Sequence, residues 1–375
     1  MAAVPAESRN TILHVGKFYP PHPGGMETHV RDLAVRQACS ASVKVIVSNE
    51  GWGQENSVTE GVSITRLGRI ATIASMPVCP GLPVAISRSP ADLVHIQMPN
   101  PGAAMAFLLS GHAGKLVLTH QSDTMGRKLL RKLSDPFVIR VMERANRILV
   151  TSSRYLNSSP ELAAFREKCS VVPLGINLQT AISPDPDAVE KLRRQFSDGF
   201  ILAVGRLVPY KGFDVLIRAM RQIDKKLLLI GTGPLQAQLM NLAATEGVKD
   251  KVVMLGHVRD TRPYFSAATV FVLPSVTRAE AFGIVQLEAM AAGVPVVNTN
   301  IDSGVPEICV NGETGITVPL GDPAALSEAI QMLLDQRDLR ERLAQAAKAR
   351  VHAEYSADLM CSRTMRIYDE ILQAS

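Results

Sequence analysis

The chain has 375 residues, enough for two to three domains, and 46% of them are apolar against 20% that are charged. This ordinary globular balance excludes a wholly disordered, collagenous or coiled-coil protein. The net charge of +5 is compatible with nucleic acid, a membrane surface or an anionic substrate, but an aromatic content of 5% and the lack of a reading motif argue against nucleic acid.

Five scattered cysteines form no Cys-x-x-Cys pair, so the sequence predicts neither a disulfide scaffold nor a structural zinc site. No run of 18 apolar residues occurs, and the first ten residues lack the apolar stretch of a secretory signal. We therefore expect a cytosolic protein without a membrane span.

Short apolar runs alternate with helical patterns along the chain. In the first half the predicted strands are 11–15, 43–48, 92–96, 116–119 and 148–151, and the predicted helices are 26–38 and 125–147. In the second half the predicted strands are 200–204, 226–230, 252–255, 270–273 and 295–298, and the predicted helices are 213–222, 235–246, 261–267 and 284–292. Continuous Val, Ile and Leu runs are typical of parallel strands covered on both faces, so the pattern predicts an α/β protein with doubly wound sheets.

The alternation stops over 173–197, which is rich in Pro, Gly and Asp and predicts a domain boundary. The string Asp185-Pro186-Asp187 falls in this stretch, and we interpret it as linker rather than as a Mg²⁺ site. The predicted domains are 1–177 with 356–375, and 178–355. Ligands of such sheets bind beyond the carboxyl ends of the strands, so a cleft between two such ends is the expected site.

Two cations follow the predicted strand 200–204, since Arg206 and Lys211 flank a loop that runs from Gly205 to Gly212. Beside a helix N-terminus they suit a diphosphate, although two solvated cations in a loop would give the same pattern. The Gly231–Pro234 turn after the next strand indicates a close backbone approach or a plain tight connection.

Two carboxylates, Glu280 and Glu288, lie eight residues apart around Phe282 and Gly283. Carboxylates accept hydrogen bonds from hydroxyl pairs, so this spacing suits a ribose and a sugar. The alternative is two unrelated surface glutamates.

In the first half, Gly24 and Gly25 precede Glu27 at a predicted helix start, which indicates a phosphate or acceptor loop or a simple turn. His120 follows the predicted strand 116–119 directly and is expected in the site, whereas His95 lies inside a strand and is interpreted as structural.

A basic amphipathic stretch lies between Asp123 and Arg147. Its cations are Arg127, Lys128, Arg131, Lys132, Arg140, Arg144 and Arg147. Such a stretch is compatible with docking on anionic lipid, and equally with a solvated helix face.

In this order the motifs resemble the GT-B glycosyltransferases, specifically the retaining family 4 with its bacterial polysaccharide mannosyltransferases. The resemblance implies two Rossmann-like doubly wound domains facing a central cleft, with the C-terminal helix crossing back to the first. It further implies an acceptor domain followed by a nucleotide-sugar donor domain.

The resemblance also implies a role for each matching residue. Arg206 and Lys211 would hold the donor diphosphate, with the Gly25 amide near it. Glu288 would bind the ribose. The other implied contacts are Glu280, Phe282 and Gly283 with the donor sugar, His120 with its 6-hydroxyl, and the backbone of Val258 with the base.

From the resemblance we expect hexose transfer with retention of configuration by a front-face route, no cofactor and no essential metal. GDP-mannose is the expected donor, and a UDP-hexose is the alternative. The expected acceptor is a polyprenyl-diphosphate-linked oligosaccharide at the inner face of the membrane, in exopolysaccharide or O-antigen assembly. A non-catalytic nucleotide-sugar-binding scaffold is a further alternative.

Overall fold

The computed structural model describes residues 10–22, 24–73, 76–123 and 128–374, with backbone alone for 128–131 and 133. The chain forms two compact units. The first ends at Leu174 and takes up the chain again at Ala357, and the second is Gly175–Ser356. The sequence-based division placed the two breaks at 177/178 and 355/356.

The first unit is built on an eight-stranded sheet with the order β10-β9-β8-β7-β1-β2-β4-β3 and a separate β5–β6 pair. Its strands are β1 (Thr11–Val15), β2 (Ser42–Ser48), β3 (Glu55–Thr59), β4 (Val62–Leu67), β5 (Ala71–Ile73), β6 (Met76–Val78), β7 (Leu93–Met98), β8 (Lys115–His120), β9 (Arg147–Val150) and β10 (Cys169–Val171). Every neighbour in the large sheet is parallel except β3, which runs antiparallel to β4. All six residues of β7 are buried, as expected of a central strand covered on both faces.

The helices of this half are α1 (Gly25–Gln37), α2 (Leu82–Ser87), α3 (Pro101–Ser110), α4 (Lys128–Arg144) and α5 (Ser153–Ser158), with a 3₁₀ helix at Ala163–Lys168. Helix α4 ends at Arg144, before the predicted end at 147. Residues 124–127 lie outside the described residues, and Arg147 begins β9 rather than ending the helix.

The second unit holds a six-stranded parallel sheet with the order β13-β12-β11-β14-β15-β16. Its strands are β11 (Phe200–Val204), β12 (Lys226–Ile230), β13 (Val252–Gly256), β14 (Val270–Leu273), β15 (Val296–Thr299) and β16 (Gly315–Val318). The bounds of β11, β12 and β14 are those predicted from the sequence. Both units therefore confirm the α/β class with parallel sheets in two Rossmann-like domains.

The helices of the second unit are α6 (Leu178–Ala181), α7 (Pro186–Gln195), α8 (Phe213–Ala219), α9 (Gln236–Thr245), α10 (Arg262–Ala267), α11 (Ile284–Ala291), α12 (Val305–Ile308), α13 (Pro323–Asp335) and α14 (Arg337–Glu354). The linker interpretation of Asp185-Pro186-Asp187 was wrong for this local structure. The Asp185 carboxylate accepts the Asp187 N–H at 3.1 Å and caps α7, whose first residue is Pro186.

The last helix, α15 (Ala357–Gln373), belongs to the first unit, as predicted. It packs on α1, where Arg36 Nε lies 2.7 Å from Asp358 Oδ1. Tyr368 inserts its hydroxyl toward the sheet, 2.5 Å from His95 Nδ1. His95 is fully buried in β7, which confirms its structural interpretation. Among the described residues, no helix is long and apolar enough to cross a membrane.

Candidate active site

Three loops meet at the carboxyl edge of the second unit's sheet, because they follow the neighbouring parallel strands β12, β11 and β14. They are 205–212 after β11, 231–235 after β12 and 274–283 after β14. The residues of the second unit that were predicted to hold the donor diphosphate and sugar lie on the first and third of these loops, and Glu288 lies in α11. The topology therefore brings these residues to one edge of that sheet. Gly25 and His120, which were also predicted to contact the donor, belong to the first unit.

Glycine allows these loops to pack backbone against backbone. A Cβ on Gly231 would lie 1.9 Å from the Gly205 carbonyl oxygen. Gly212 has φ +65°, and a Cβ there would lie 2.0 Å from the Pro274 carbonyl oxygen. A side chain at either position would separate the loops, so the close approach of the loops explains both glycines.

The best-defined polar contact of this edge joins Lys211 to Glu280. Lys211 Nζ lies 2.5 Å from Glu280 Oε2, and both side chains are about nine-tenths buried. The Ser275 hydroxyl donates to the same carboxylate oxygen at 3.1 Å. The two residues were assigned separately to phosphate and sugar by resemblance, and no spacing in the sequence indicated that they form a pair.

Arg206 differs from Lys211 in its exposure. Its side chain is exposed and forms no ion pair or hydrogen bond with any residue that the structure describes. A guanidinium presents several donors in a planar fork that matches phosphate oxygens. Arg206 is therefore available to bind an anion at this edge.

The loop after β14 leads into α11 through Phe282 and Gly283. Gly283 has φ +75°, and a Cβ there would lie 2.8 Å from Leu273 Cδ2. Within the described part of the chain, the N–H groups of Phe282 and Gly283 have no hydrogen-bond acceptor. Free N–H groups at a helix start attract negative charge and hydroxyl oxygens, so this turn can accept a polar ligand.

Glu288, in the second turn of α11, is partly buried and forms no hydrogen bond or ion pair with a described residue. Burial raises the pKa of its carboxyl group from 4.5 to about 7. A desolvated carboxylate without a partner is costly to keep, which favours a ligand that supplies hydrogen-bond donors.

A chain of buried polar side chains supports the turn at Phe282 and Gly283. Gln286 Nε2 donates to the Phe282 carbonyl at 3.1 Å, and Asn298 Nδ2 donates to Gln286 Oε1 at 3.2 Å. Thr317 Oγ1 donates to Asn298 Oδ1 at 2.7 Å. The sequence analysis did not single out Gln286, because a glutamine within an apolar helix carries no motif. These contacts position the turn and do not face a ligand.

The loop after β13 carries Val258, which was predicted to pair with the base. Its backbone N–H and carbonyl form no hydrogen bond with a described residue. The Gly256 carbonyl accepts the Gly231 N–H at 2.8 Å, so the loop is fixed to its neighbour next to the open groups.

In the first unit, the Gly24-Gly25 turn begins α1 at the carboxyl edge of the sheet. Glu27 is buried and lies against this turn, since a Cβ on Gly24 would be 2.0 Å from Glu27 Oε2. The Gly25 N–H has no acceptor among the described residues. Lys17, a residue that the sequence analysis missed, is half-buried here. Burial lowers the pKa of its ammonium group, and the nearby Glu27 carboxylate offsets part of this shift.

His120 ends β8 and is fully buried, with both ring nitrogens engaged. Nε2 lies 3.2 Å from Glu161 Oε2, and Nδ1 lies 2.8 Å from the Tyr155 hydroxyl. The Tyr155 hydroxyl is also 3.3 Å from Asp123 Oδ1, which bonds to Ser159. Glu161 is the partly exposed end of this network. A sugar hydroxyl can form a hydrogen bond with His120 Nε2 only if the Glu161 carboxylate moves away from this nitrogen.

The same cluster contains the group of potential metal ligands found among the described residues. Ligand atoms of His120, Asp123 and Glu161 all lie within 4.8 Å of one another. Carboxylate oxygens and an imidazole nitrogen suit a divalent transition metal, and the Tyr155 and Ser159 contacts already satisfy part of the set. The expectation of no essential metal stays a prediction.

Helix α4 carries the basic stretch. Arg127 lies outside the described residues, as do the side chains of Lys128 and Arg131. Lys132 is exposed, and Arg140 pairs with Glu143 at 3.0 Å. Val138, Val141 and Met142 of this helix are buried, so its described part has one buried face and one exposed face, and some of the charge on the exposed face is paired.

The chain matches two family models along most of its length. Residues 23–180 match the family described as Glycosyltransferase Family 4, and residues 186–350 match Glycosyl transferases group 1. Among relatives, D-rhamnosyltransferase WbpZ of Pseudomonas aeruginosa is 32% identical over 269 residues, 71% of this chain and 70% of the relative.

Two further relatives are similar over nearly the whole chain. O-antigen chain mannosyltransferase C of Escherichia coli is 28% identical over 97% of this chain and 99% of the relative. A GDP-mannose-dependent monoacylated α-(1-6)-phosphatidylinositol monomannoside mannosyltransferase of Corynebacterium glutamicum is 28% identical over 96% and 98%. The structure of sucrose-phosphate synthase from Thermosynechococcus elongatus superposes with a TM-score of 0.82 at 23% identity, covering 98% of this chain and 100% of that one.

Proposed function

The chain belongs to family 4 of the glycosyltransferases and has the GT-B fold, and we propose that it transfers mannose from GDP-mannose onto a lipid-linked saccharide. Its relatives place it among glycosyltransferases of the polysaccharide, O-antigen and mannosyl type. The observation that carries the proposal is the edge of the second unit's sheet. There the exposed Arg206 and the Lys211–Glu280 pair lie on two adjacent loops, and Glu288, which has no partner among the described residues, lies in the helix that follows the second loop.

The donor diphosphate is bound by cations and backbone amides. Arg206 is exposed and unpaired with described residues, so it can turn its guanidinium to the phosphates without losing another contact. Lys211 is held in place by Glu280 and adds a second, fixed charge. Both charges offset the negative charge that grows on the nucleotide as the bond to the sugar breaks. This role is the one that a metal ion fills in other enzymes, and we propose that the reaction needs none.

The sugar and the nucleoside are recognised by hydroxyl contacts. The N–H groups of Phe282 and Gly283 and the Glu280 carboxylate face the hexose hydroxyls. The Glu288 carboxylate accepts hydrogen bonds from the two ribose hydroxyls. These hydroxyls supply the donors that no described residue provides to this carboxylate. The open backbone groups of Val258 pair with the guanine edge.

Transfer proceeds with retention through a front-face route. The bond between the anomeric carbon and the phosphate oxygen breaks, and the acceptor hydroxyl forms the new bond on the same face. The hydroxyl proton passes to the departing phosphate oxygen. His120, in its network with Glu161 and Tyr155, is the proposed contact of the sugar 6-hydroxyl, and Gly24, Gly25 and Glu27 serve the phosphate and acceptor side.

The donor preference is supported by the names of two mannosyltransferase relatives, one of them GDP-mannose-dependent. Asn298 and Thr299, which end β15, are buried and support the loop before α11. Any influence of these residues on the donor is therefore indirect. The acceptor, a polyprenyl-diphosphate-linked oligosaccharide, would be reached at an anionic membrane surface through the basic helix α4.

The experiment is a thermal-shift panel of GDP, UDP, GDP-mannose and UDP-hexoses, with and without EDTA. A ligand at one hundred times its dissociation constant stabilises the folded state by about 2.7 kcal/mol. A shift with GDP and GDP-mannose that EDTA leaves unchanged supports the proposal. A shift with UDP species alone rejects the donor, and no shift with any nucleotide favours a non-catalytic scaffold.

Two further assays complete the test. The anomeric configuration of the product, read by NMR during turnover of GDP-mannose, must equal that of the donor. Binding to vesicles must increase with their anionic lipid content. An inverted product or binding that is indifferent to lipid charge contradicts the corresponding part of the proposal.

A further inference from the structure

Three loops at the carboxyl edge of the first unit's sheet are tied into one surface. They follow the parallel strands β1, β2 and β4, and their described parts are 16–22, 49–54 and 68–70. The first loop leads to the Gly24-Gly25 turn, but no residue of 16–22, 49–54 or 68–70 is assigned a role in the proposed reaction. The donor chemistry therefore does not explain the contacts among these loops or the exposed indole of Trp52.

The contacts among these loops close a ring of four residues. His22 Nδ1 lies 3.0 Å from Glu50 Oε1, and Arg69 donates to the Glu50 carbonyl at 2.7 Å. The Arg69 guanidinium lies over the Phe18 ring, 5.6 Å from its centre. Phe18 in turn stacks on His22 with ring centres 4.1 Å apart. Each loop is therefore fixed by the other two, which reduces the ordering that a ligand must bring about.

Trp52, the single tryptophan of the sequence, projects from this surface with 83% of its area exposed. The backbone on both sides is held, since the Gly51 carbonyl accepts the Arg69 N–H and the Gly53 carbonyl accepts Asn49 Nδ2, both at 2.9 Å. A Cβ on Gly51 or Gly53 would meet nothing within 4 Å. The two glycines thus avoid no clash, and their effect is to leave the indole without flanking side chains.

The charges near Trp52 are of both signs. Arg69 donates to the Glu50 carbonyl, and Glu55 lies opposite Arg66 in the β3–β4 pair. A surface of mixed charge has little attraction for an anionic membrane, which calls for an excess of Lys and Arg. A large exposed aromatic ring beside hydrogen-bonding groups suits a ligand with one apolar and one polar side, and a pyranose ring has both.

We propose that Trp52 and Glu50 form a binding surface for the saccharide chain of the acceptor. A pyranose ring stacks its C–H face on the indole, and a hydroxyl of the same or the next sugar donates to the Glu50 carboxylate, which is exposed beside His22. The inference rests on the proposed function and adds to it, because it names the residues of the first unit that bind the saccharide of the acceptor.

Fluorescence of the single tryptophan tests the proposal directly. Mannotriose titrated into the full-length protein, without nucleotide, should change the emission of Trp52 with saturation. Vesicles of neutral lipid and of lipid with phosphatidylglycerol are titrated in parallel. A blue shift with anionic vesicles and no response to mannotriose would overturn the proposal and make Trp52 a membrane contact.

Kinetics of two substitutions supply the second test. Trp52→Ala should raise the KM for the saccharide acceptor at least fivefold, while Trp52→Phe, which keeps a ring, should stay within about twofold to threefold. The KM for GDP-mannose and the melting temperature should not change, because the ring is exposed. Val58→Ala, which truncates another exposed apolar side chain of this unit, is the control. Equal acceptor KM values for Trp52→Ala and Val58→Ala would refute the saccharide surface.

These results separate the inference from the proposed function. Donor binding is read by thermal shift with GDP-mannose, which does not involve Trp52. Loss of the donor shift with a retained mannotriose response would reject GDP-mannose and keep the saccharide surface. A normal donor shift with no mannotriose response and no effect of Trp52→Ala would reject the surface alone.

Discussion

Replacing Lys211 by methionine removes the ammonium that lies 2.5 Å from the Glu280 carboxylate and retains most of the side-chain volume. Glu280 then keeps the Ser275 hydroxyl as its partner, but its charge is uncompensated in a site that is nine-tenths buried. Breaking a buried ion pair by removing one member destabilises a protein by about 3–5 kcal/mol. Because each side chain retains about a tenth of its exposure, we expect a loss near the lower end of that range.

The double variant Lys211→Met with Glu280→Gln removes both charges and leaves the Ser275 hydroxyl with an amide. Without an unpaired charge in the site, its stability should return to within about 1–2 kcal/mol of the natural protein, since neutral replacement of a buried pair is often tolerated. The two single losses would then sum to well above the loss in the double variant. That difference is the interaction free energy of the pair.

The free energies come from urea unfolding followed by far-UV circular dichroism, with calorimetry to resolve the two units. Tryptophan fluorescence is unsuitable, because Trp52 lies in the first unit. Arg218→Met is the matched control in the same unit, since Arg218 pairs with Asp214 at 2.9 Å but both side chains are more than two-fifths exposed. It should change stability by at most about 0.5 kcal/mol.

Activity should separate from stability in the same variants. Both Lys211→Met and the double variant lack the charge that we propose for the diphosphate, so both should lose turnover of GDP-mannose by at least a hundredfold. The reasoning about the pair is refuted if Lys211→Met is no less stable than Arg218→Met, or if the two single effects add.

Three other outcomes follow from the contacts. Gly231→Ala, whose Cβ would meet a neighbouring carbonyl at 1.9 Å, should lower stability by roughly 1–3 kcal/mol, whereas Gly81→Ala, in open space, should change it by at most about 0.5 kcal/mol in the same urea assay. Glu161→Gln keeps a hydrogen-bonding group beside His120 but removes the charge, so kcat and its pH profile should change while the GDP-mannose thermal shift does not; an unchanged profile would limit Glu161 to a packing role. Burial lowers the pKa of His14 to about 4, below the 6.5 of the unfolded chain, so the unfolded state takes up its proton first and stability falls as the pH drops from 6.5 to 4. The His14 imidazole accounts for roughly 3 kcal/mol of that loss. His14→Leu should therefore reduce the dependence of the unfolding free energy on pH, measured by urea unfolding between pH 4 and 7.

The sequence predicted best those strands whose residues are nearly all buried. The runs 11–15 and 200–204 are strands with the predicted bounds, because uninterrupted Val, Ile and Leu residues are compatible with a central parallel strand and little else. Strand β3 was missed, since Glu55–Thr59 is polar and mostly exposed at the sheet edge. Helix α3 was missed for the opposite reason, because Pro101–Ser110 is apolar on all sides and shows no helical stripe.

The sequence predicted which residues belong to the site, but not which of them contact each other. Arg206 follows a predicted strand of the second unit and His120 one of the first, and within each sheet parallel strands bring their carboxyl ends to one edge. The Lys211–Glu280 contact depends on how closely two loops approach, which the glycine at 212 decides and no spacing in the sequence reveals. Likewise, the burial of His120 and its contact with Glu161 come from tertiary packing of a segment that carries no motif.

The supporting groups behind the second unit's site suggest how substitutions away from the ligand would act. Gln286, Asn298 and Thr317 form a chain of hydrogen bonds from the Phe282 carbonyl to β16, in a layer otherwise filled by apolar side chains. A buried polar chain offers little net stability over apolar packing, so its value lies in fixing one geometry. That geometry orients the free N–H groups of Phe282 and Gly283, and a displacement of the turn would weaken contacts made to the sugar. Substitution of Asn298 should therefore reduce kcat/KM for the donor more than it reduces stability, although Asn298 faces no ligand.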